Sequence, residues 1–242
     1  MAHCRDLGKP ALHRTMESAG AGNGFPGPEH ALSSSLSEET AWAEACAAGD
    51  IFGPVTGEAV FPGTEEIIRK AGEKGMSGTG VERILNLKRA WAYILSPEVR
   101  RAESSYEVLC RIAARVQGTP AEEGKIRTVH VRIGGSTYRP PLPDEEEVRK
   151  CIRGILQSGQ RAIDLALDLC LYVMRTQVFA DGNKRTAMIY ANHYLIARGQ
   201  GYLGVPRGQI PAFHRHLVRY YESGEKEEIK AFLKRYCWRR RA

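Results

Sequence analysis

Residues 161–175, RAIDLALDLCLYVMR, place apolar side chains over much of the circumference of a helix. Such a helix is stable only when other elements cover it on most sides, so the chain must build a layered core around it. The neighbouring sequence supplies helical cover. In VERILNLKRAWAYILS, residues 81–96, apolar positions recur every three and four residues and stop at Ser96-Pro97. A second helix is expected over 98–116, closed by Gly118 and Pro120. Pro143-Asp144 opens DEEEVRKCIRGILQSG, with acidic residues in the first turn, where the helix dipole favours them. NKRTAMIYANHYLIARG is helical again, with Ala187, Ala191, Tyr194 and Leu195 in register and Gly199 as its stop. IPAFHRHLVRYYESG and EKEEIKAFLKRYCW supply two shorter helices, which makes the fold class mainly α.

One stretch changes period. In IRTVHVRIGGSTYRPP, Val129, Val131 and Ile133 alternate with Thr128, His130 and Arg132, Gly134-Gly135 is a hairpin signal, and Pro140-Pro141 stop the pattern. A small β-hairpin is therefore expected at 126–139. A lone hairpin cannot bury a core of its own, so it must lean on helices or be presented to something else.

The chain has 242 residues, 43% hydrophobic and 26% charged, enough for one sizeable core. Residues 1–37 read as a flexible tail, because 17–37 are rich in Gly, Ser, Ala and Pro without a sustained apolar period; 38–75 read as a short helical extension. Six cysteines at 4, 46, 110, 151, 170 and 237 are too scattered for a CxxC metal pair or a disulfide framework, and Cys170 reads as a small buried hydrophobe. Neither a long uninterrupted apolar run nor a secretory signal is evident, so a cytoplasmic protein without a membrane partner is expected. The net charge of +7 is spread thinly apart from Arg235, Arg239, Arg240 and Arg241, and no aromatic platform accompanies it, so nucleic acid is not the expected partner. His214 and His216, two apart on a helix, point to different faces and do not read as a metal pair.

Between two helical segments lies QVFADGNKRT, residues 177–186. The amides of the following helix's first turn point into this loop; Gly182 permits close backbone approach, and Lys184 and Arg185 add positive charge, which together suit a phosphate. Asp181 fits such a site if a magnesium ion bridges it to the phosphate, so a Mg-nucleotide reconciles both signs of charge. Phe179 reads as the loop's anchor in the core. On spacing alone a second reading stands equally: an Asp cap and a Gly turn before an ordinary helix, with Lys184 and Arg185 merely solvated.

The run QVFADGNKRTA resembles the signature of the Fic family, HxFx(D/E)GNGRxxR, at Phe179, Asp181, Gly182, Asn183 and Arg185. It is also similar to the death-on-curing (Doc) branch of that Fido superfamily, whose loop reads Asn-Lys-Arg-Thr-Ala, here Asn183 to Ala187. The stretch 124–143 is similar to the hairpin and Pro-Pro segment that precede the signature. The resemblance implies a Fic-fold helical bundle with a β-hairpin flap, a Fic domain over 76–242, and ATP or another nucleotide with Mg²⁺ as cofactors. It further implies transfer of AMP to a protein hydroxyl, or of phosphate in the Doc branch. By position, Asp181 would hold Mg²⁺; Gly182, Asn183, Lys184 and Arg185 would cradle phosphates; Asp181 and Arg185 would share the catalytic site with residue 177. A protein substrate would align along the flap 126–139, and an antitoxin or a second copy of the chain would be a further partner.

Three departures qualify this. Gln177 stands where the family has its histidine base, and a neutral amide lacks a nitrogen that titrates near neutral pH, so activity is expected to be weakened or altered, or replaced by nucleotide or peptide binding alone. Of the other histidines, His193 lies too far along the next helix to substitute, as a packing or surface residue, and His130 on the flap is the nearer candidate. The signature's last arginine falls on Met188, and Lys184 replaces the usual glycine, both leaning toward the Doc branch or another donor. Finally, SGTGVERILN partly resembles the family's inhibitory helix with Glu82 as its glutamate, but a helix cap by Ser77 or Thr79 is the simpler reading.

Overall fold

The computed structural model describes residues 78–119 and 124–239. Both N-terminal segments of the sequence reading, and the Ser77 cap, lie outside the described residues. Elements run α1 (Gly78–Leu95), α2 (Pro97–Arg101), α3 (Tyr106–Gln117), α4 (Glu145–Leu156), α5 (Ala162–Thr176), α6 (Asn183–Ala197), β1 (Tyr202–Leu203), a 3-10 turn (Arg207–Gln209), α7 (Ile210–Ser223), α8 (Glu227–Phe232), a π-helical turn (Leu233–Cys237) and β2 (Trp238–Arg239). The described residues form a mainly helical fold with a small two-stranded antiparallel sheet.

The apolar stretch that opens the sequence reading becomes α5, buried at ten positions including Cys170. It packs along α6, which α3 and α1 cover from other directions. α6 is more enclosed than its sequence suggests, with Asn183 and every residue from Thr186 to Leu195 buried. Its buried amides and imidazole find partners, as buried polar groups usually must, whereas the Thr186 and Tyr190 hydroxyls are buried without one among the described residues. Asn192 donates to the carbonyls of Met188 and Leu203, both at 2.9 Å, and accepts the Leu203 amide at 2.7 Å, which ties β1 to α6. β1 in turn pairs with β2, Tyr202 opposite Arg239 and Leu203 opposite Trp238.

The structure corrects two expectations. The helix expected over 98–116 is broken at 102–105, where Ser105 takes an extended backbone and its hydroxyl accepts from the Val108 amide at 3.4 Å, starting α3 afresh. The stretch 126–139 turns at Gly134–Gly135, with the Ser136 amide reaching the Ile133 carbonyl at 3.3 Å, but forms no strand ladder; the sheet lies at 202–203 and 238–239 instead. Its alternation does not make one buried face either, since Ile133 is 9% exposed and Val129 is 58% exposed. What shapes this segment is Arg127, described below.

The four described cysteines, Cys110, Cys151, Cys170 and Cys237, are buried and form no disulfide among the described residues. No described helix is long and apolar enough to cross a membrane.

A buried carboxylate joins the C-terminal helices to the core. Asp168 on α5 is 5% exposed and meets Lys226 at 2.8 Å and Lys230 at 2.9 Å, while neighbouring Asp164 pairs with Lys230 and Lys234. Burial alone would raise the Asp168 pKa, but the two ammonium groups outweigh it and the net shift is downward. A depressed carboxylate pKa contributes stability above the unfolded-state value of about 3.9 that disappears as pH falls through the lower folded-state value. Replacing Asp168 with Asn should therefore cost about 3 kcal/mol in urea unfolding at pH 7, and the difference from wild type should shrink below pH 4. An equal difference at pH 7 and pH 3 would contradict the assignment.

Candidate functional site

The chain must reverse direction between α5 and α6 within six residues, and the reversal is built on unusual backbone. Gln177, with φ 50° and ψ 59°, is the only described non-glycine residue at positive φ, a left-handed conformation that costs about 1–2 kcal/mol. Its amide still reaches the Val173 carbonyl at 3.1 Å, closing α5. The side chain folds back over the loop: Nε2 donates to the Met174 carbonyl at 2.5 Å and Oε1 accepts from Asn183 Nδ2 at 3.2 Å. Val178 and Phe179 then drop fully into the core, as expected of the anchor.

Asn183 is the staple of the turn. Its Oδ1 accepts the Phe179 amide at 2.9 Å and its Nδ2 donates to the Phe179 carbonyl at 2.7 Å, with 4% of the residue exposed. That side chain is committed inside the loop, which leaves its backbone amide as the group it can offer a phosphate. Gly182 caps α6 at φ 74° with no side-chain cap bond, so the first-turn amides of α6 are not satisfied by any capping side chain. A Cβ at Gly182 would stand 2.8 Å from Val116 Cγ1 on α3.

Charge gathers on the rim. The Asp181 side chain is 61% exposed and its Oδ2 lies 3.1 Å from Nη2 of Arg185, which is 12% exposed. The Asp181 carbonyl accepts from Gln117 Nε2 at 3.1 Å, fixing the rim to the end of α3. Lys184 is half-buried one position before Arg185. The structure thus brings Gln177, Asp181, Gly182, Asn183, Lys184 and Arg185 into one turn. Among the described residues no cluster of three or more His, Cys, Asp or Glu side chains can hold a metal. A lone exposed carboxylate beside open amides does fit magnesium, which binds through one or two carboxylates and the phosphates of its ligand.

Other candidates lie elsewhere. Met188 is buried against Cys170, with the sulfurs 3.6 Å apart, so an apolar side chain occupies the position of the signature's last arginine. Glu82 is exposed on α1 and His130 is exposed on the 126–139 stretch. His193 belongs to the core, 1% exposed, and is hydrogen-bonded to Ser104 and Val99.

Arg127 went unnoticed in the sequence, where it is one more polar residue in an alternating run. It is 3% exposed and has no carboxylate partner among the described residues; backbone carbonyls surround its guanidinium. Nε donates to Gln177 at 2.5 Å, Nη1 to Val129 at 2.8 Å, and Nη2 to Pro141 at 2.5 Å with longer contacts to Pro140 and Thr176. Its amide adds a bond to the Val178 carbonyl at 3.0 Å. Burial lowers its pKa, yet a guanidinium stays charged. One cation therefore fastens the 126–141 stretch to the end of α5 and to residue 177. The only sequence signal was an arginine preceding a Pro-Pro pair whose carbonyls need donors.

Residues 103–195 match the sequence model of the Fic/DOC family. No curated protein matches the chain. Among solved structures, Fic-1 (residues 134–508) from C. elegans superposes with TM-score 0.53 at 19% identity over 88% of this chain and 63% of its own. A Fic domain-containing signaling protein from Bacteroides thetaiotaomicron gives 0.55 at 14% identity over 86% of each chain. A Fic family protein from Desulfovibrio desulfuricans gives 0.55 at 16% identity over 85% of this chain and 64% of its own. At these identities the likeness is one of fold, and this chain spans less than two thirds of the nematode chain.

The close approach at Gly182 sets a stability test. Gly182→Ala should cost at least about 1–2 kcal/mol in chemical denaturation, because alanine disfavours positive φ and its Cβ collides with Val116. Adding Val116→Ala should recover part of that loss, and no recovery would place the whole cost in the backbone.

Proposed function

We propose that this chain, in which residues 103–195 form a Fic/DOC-family segment on a Fic fold, is a Fic-type transferase that takes a Mg-nucleotide at the 177–185 loop and modifies a protein hydroxyl, with AMP transfer as the first reading. The observation that carries it is the α6 N-terminus: left-handed Gly182, no side-chain cap, and Asp181 and Arg185 on the rim. A helix that needed only to start could have been capped by serine or aspartate.

In this reading the first-turn amides of α6 donate to phosphate oxygens, and Lys184 and Arg185 oppose the phosphate charge. Asp181 would hold the Mg²⁺, whose chemistry is to neutralise charge on the phosphates during transfer. Holding the ion would require the Asp181 carboxylate to give up its pairing with Arg185, which would then be available to phosphate. The exposed residues 128–130 offer backbone for a target segment to lie along, and Arg127 holds that stretch in fixed relation to residue 177. What is missing is a base. The Gln177 amide is already bonded to Met174 and Asn183 and cannot take the hydroxyl proton, so the transfer runs slowly.

A second reading, phosphoryl transfer as in the Doc branch, is favoured by Met188: a buried apolar side chain there gives the terminal phosphate no cation in the AMP-transferring orientation.

Calorimetric titration with ATP, other nucleotides and Mg²⁺ should show saturable binding that an Asp181→Ala, Arg185→Ala double variant loses. No binding by the wild-type protein would sink both readings. With labelled ATP, α-phosphate label on protein identifies nucleotidyl transfer and γ-phosphate label phosphoryl transfer. Gln177→His should raise whichever occurs by about 10²- to 10⁴-fold. Nucleotide binding with no transfer by either form would leave a binding module.

A further inference from the structure

The far end of α6, about 15–20 Å from the loop by helical rise, carries a second arrangement with no part in the reading above. Ser104 sits in the break between α2 and α3, and its Oγ lies 2.9 Å from Nδ1 of His193. Nε2 of the same ring lies 2.8 Å from the Val99 carbonyl oxygen. A carbonyl only accepts, so Nε2 carries the proton, Nδ1 is the bare nitrogen, and the serine hydroxyl donates to it. Burial depresses the His193 pKa; the Val99 bond opposes this and the Arg198 charge adds to it, leaving the ring neutral and able to accept a proton.

A hydroxyl, a neutral imidazole within reach and a third group that fixes the ring are the parts of an activated nucleophile. A buried pair that merely satisfied itself would show the same bonds, so access decides between them. Ser104 lines a cavity of about 350 Å³, whose charged lining is Arg149, Arg153 and Arg198 against Glu103 and Glu107. That volume suits a small molecule. Arg149 is paired with Glu107 and Glu145. Arg198 stacks on Tyr194, with 3.7 Å from guanidinium carbon to ring centroid, and among the described residues neither it nor Arg153 has a carboxylate partner.

We propose that Ser104 is a nucleophile with His193 as its general base, in a second site that takes the acyl group of a small ester carrying an acid function. Ser104 Oγ bonds to the carbonyl carbon as its proton passes to His193 Nδ1 and the carbonyl π pair moves onto oxygen. Return of that pair breaks the bond to the alcohol, which leaves with the proton from His193. Water repeats the sequence on the acyl-serine, releasing the acid and restoring the hydroxyl. Of the first-turn amides of α3, that of Val108 is taken by the Ser105 hydroxyl and a carboxylate bond engages that of Glu107, which leaves the Tyr106 amide to serve the oxyanion. Arg153 and Arg198 select the acid.

The test is covalent labelling of the full chain with an alkyl fluorophosphonate, located by peptide mass spectrometry. A single adduct on Ser104 is expected, absent from Ser104→Ala and formed about 10²- to 10⁴-fold more slowly in His193→Gln. The kcat/KM for p-nitrophenyl hemisuccinate relative to that for p-nitrophenyl acetate should fall about tenfold in an Arg153→Ala variant. A wild-type protein that gives no Ser104 adduct overturns the proposal without recourse to any variant, and so does labelling that persists at full rate in a folded His193→Gln.

Discussion

The architecture hangs on one buried amide. Two enclosed helices, α5 and α6, lie against each other and must be joined by a turn too short to satisfy its own backbone. Asn183 solves this by presenting its carbonyl to the Phe179 amide and its NH₂ to the Phe179 carbonyl, a mimic of a backbone turn made by a side chain. Phe179 can then be fully buried with both polar groups bonded, and its ring fixes the loop to the core. The same NH₂ reaches Gln177, so the staple sets both ends of the turn at once. An unsatisfied pair at this depth would cost several kcal/mol, comparable with a large share of a domain's net stability.

The staple also distributes charge. With apolar and amide groups turned inward, Asp181 is left exposed at the rim, Lys184 is half-buried, and Arg185, largely covered, keeps its charge against the Asp181 carboxylate. Arg127, an ion that does enter the interior, is handled differently: carbonyls from the ends of two segments supply its acceptors, where buried Asp168 instead relies on two lysines. This explains why the 126–139 stretch forms no ladder. Several carbonyls that might have paired across a hairpin are turned toward one guanidinium instead.

The sequence made some of this legible and hid the rest, for physical reasons. Helices with strong apolar period were readable because burial and period are the same property; α5 and the Phe179 anchor follow directly. Composition of the loop, through Gly182 and the mixed charges, marked it as a candidate site. Polar burial was not readable. Asn192, His193 and Arg127 look like surface residues by type, and only three-dimensional partners such as the Leu203 amide, the Val99 carbonyl and the Pro141 carbonyl convert them to interior ones. The hairpin failed because alternation records which residues are apolar, not where neighbouring acceptors lie. The break before α3 was missed because Ser104 and Ser105 compete for backbone groups in ways that period cannot register.

Gln177 separates architecture from chemistry at the same position. Residue 177 must take a left-handed turn at the end of α5 whatever reaction follows, and glutamine meets that demand with bonds to Met174 and Asn183. The survival of the loop is therefore no argument that proton transfer survives. The groups that do argue for a ligand are those the fold has no use for: amides left without a capping side chain, and an aspartate and an arginine held 3.1 Å apart on an exposed rim, where an ion pair adds at most about 1 kcal/mol. Stability alone would favour an N-cap that closes those amides. The missing side-chain cap is a cost to the fold, and an anion at the helix N-terminus is the chemistry that would offset it.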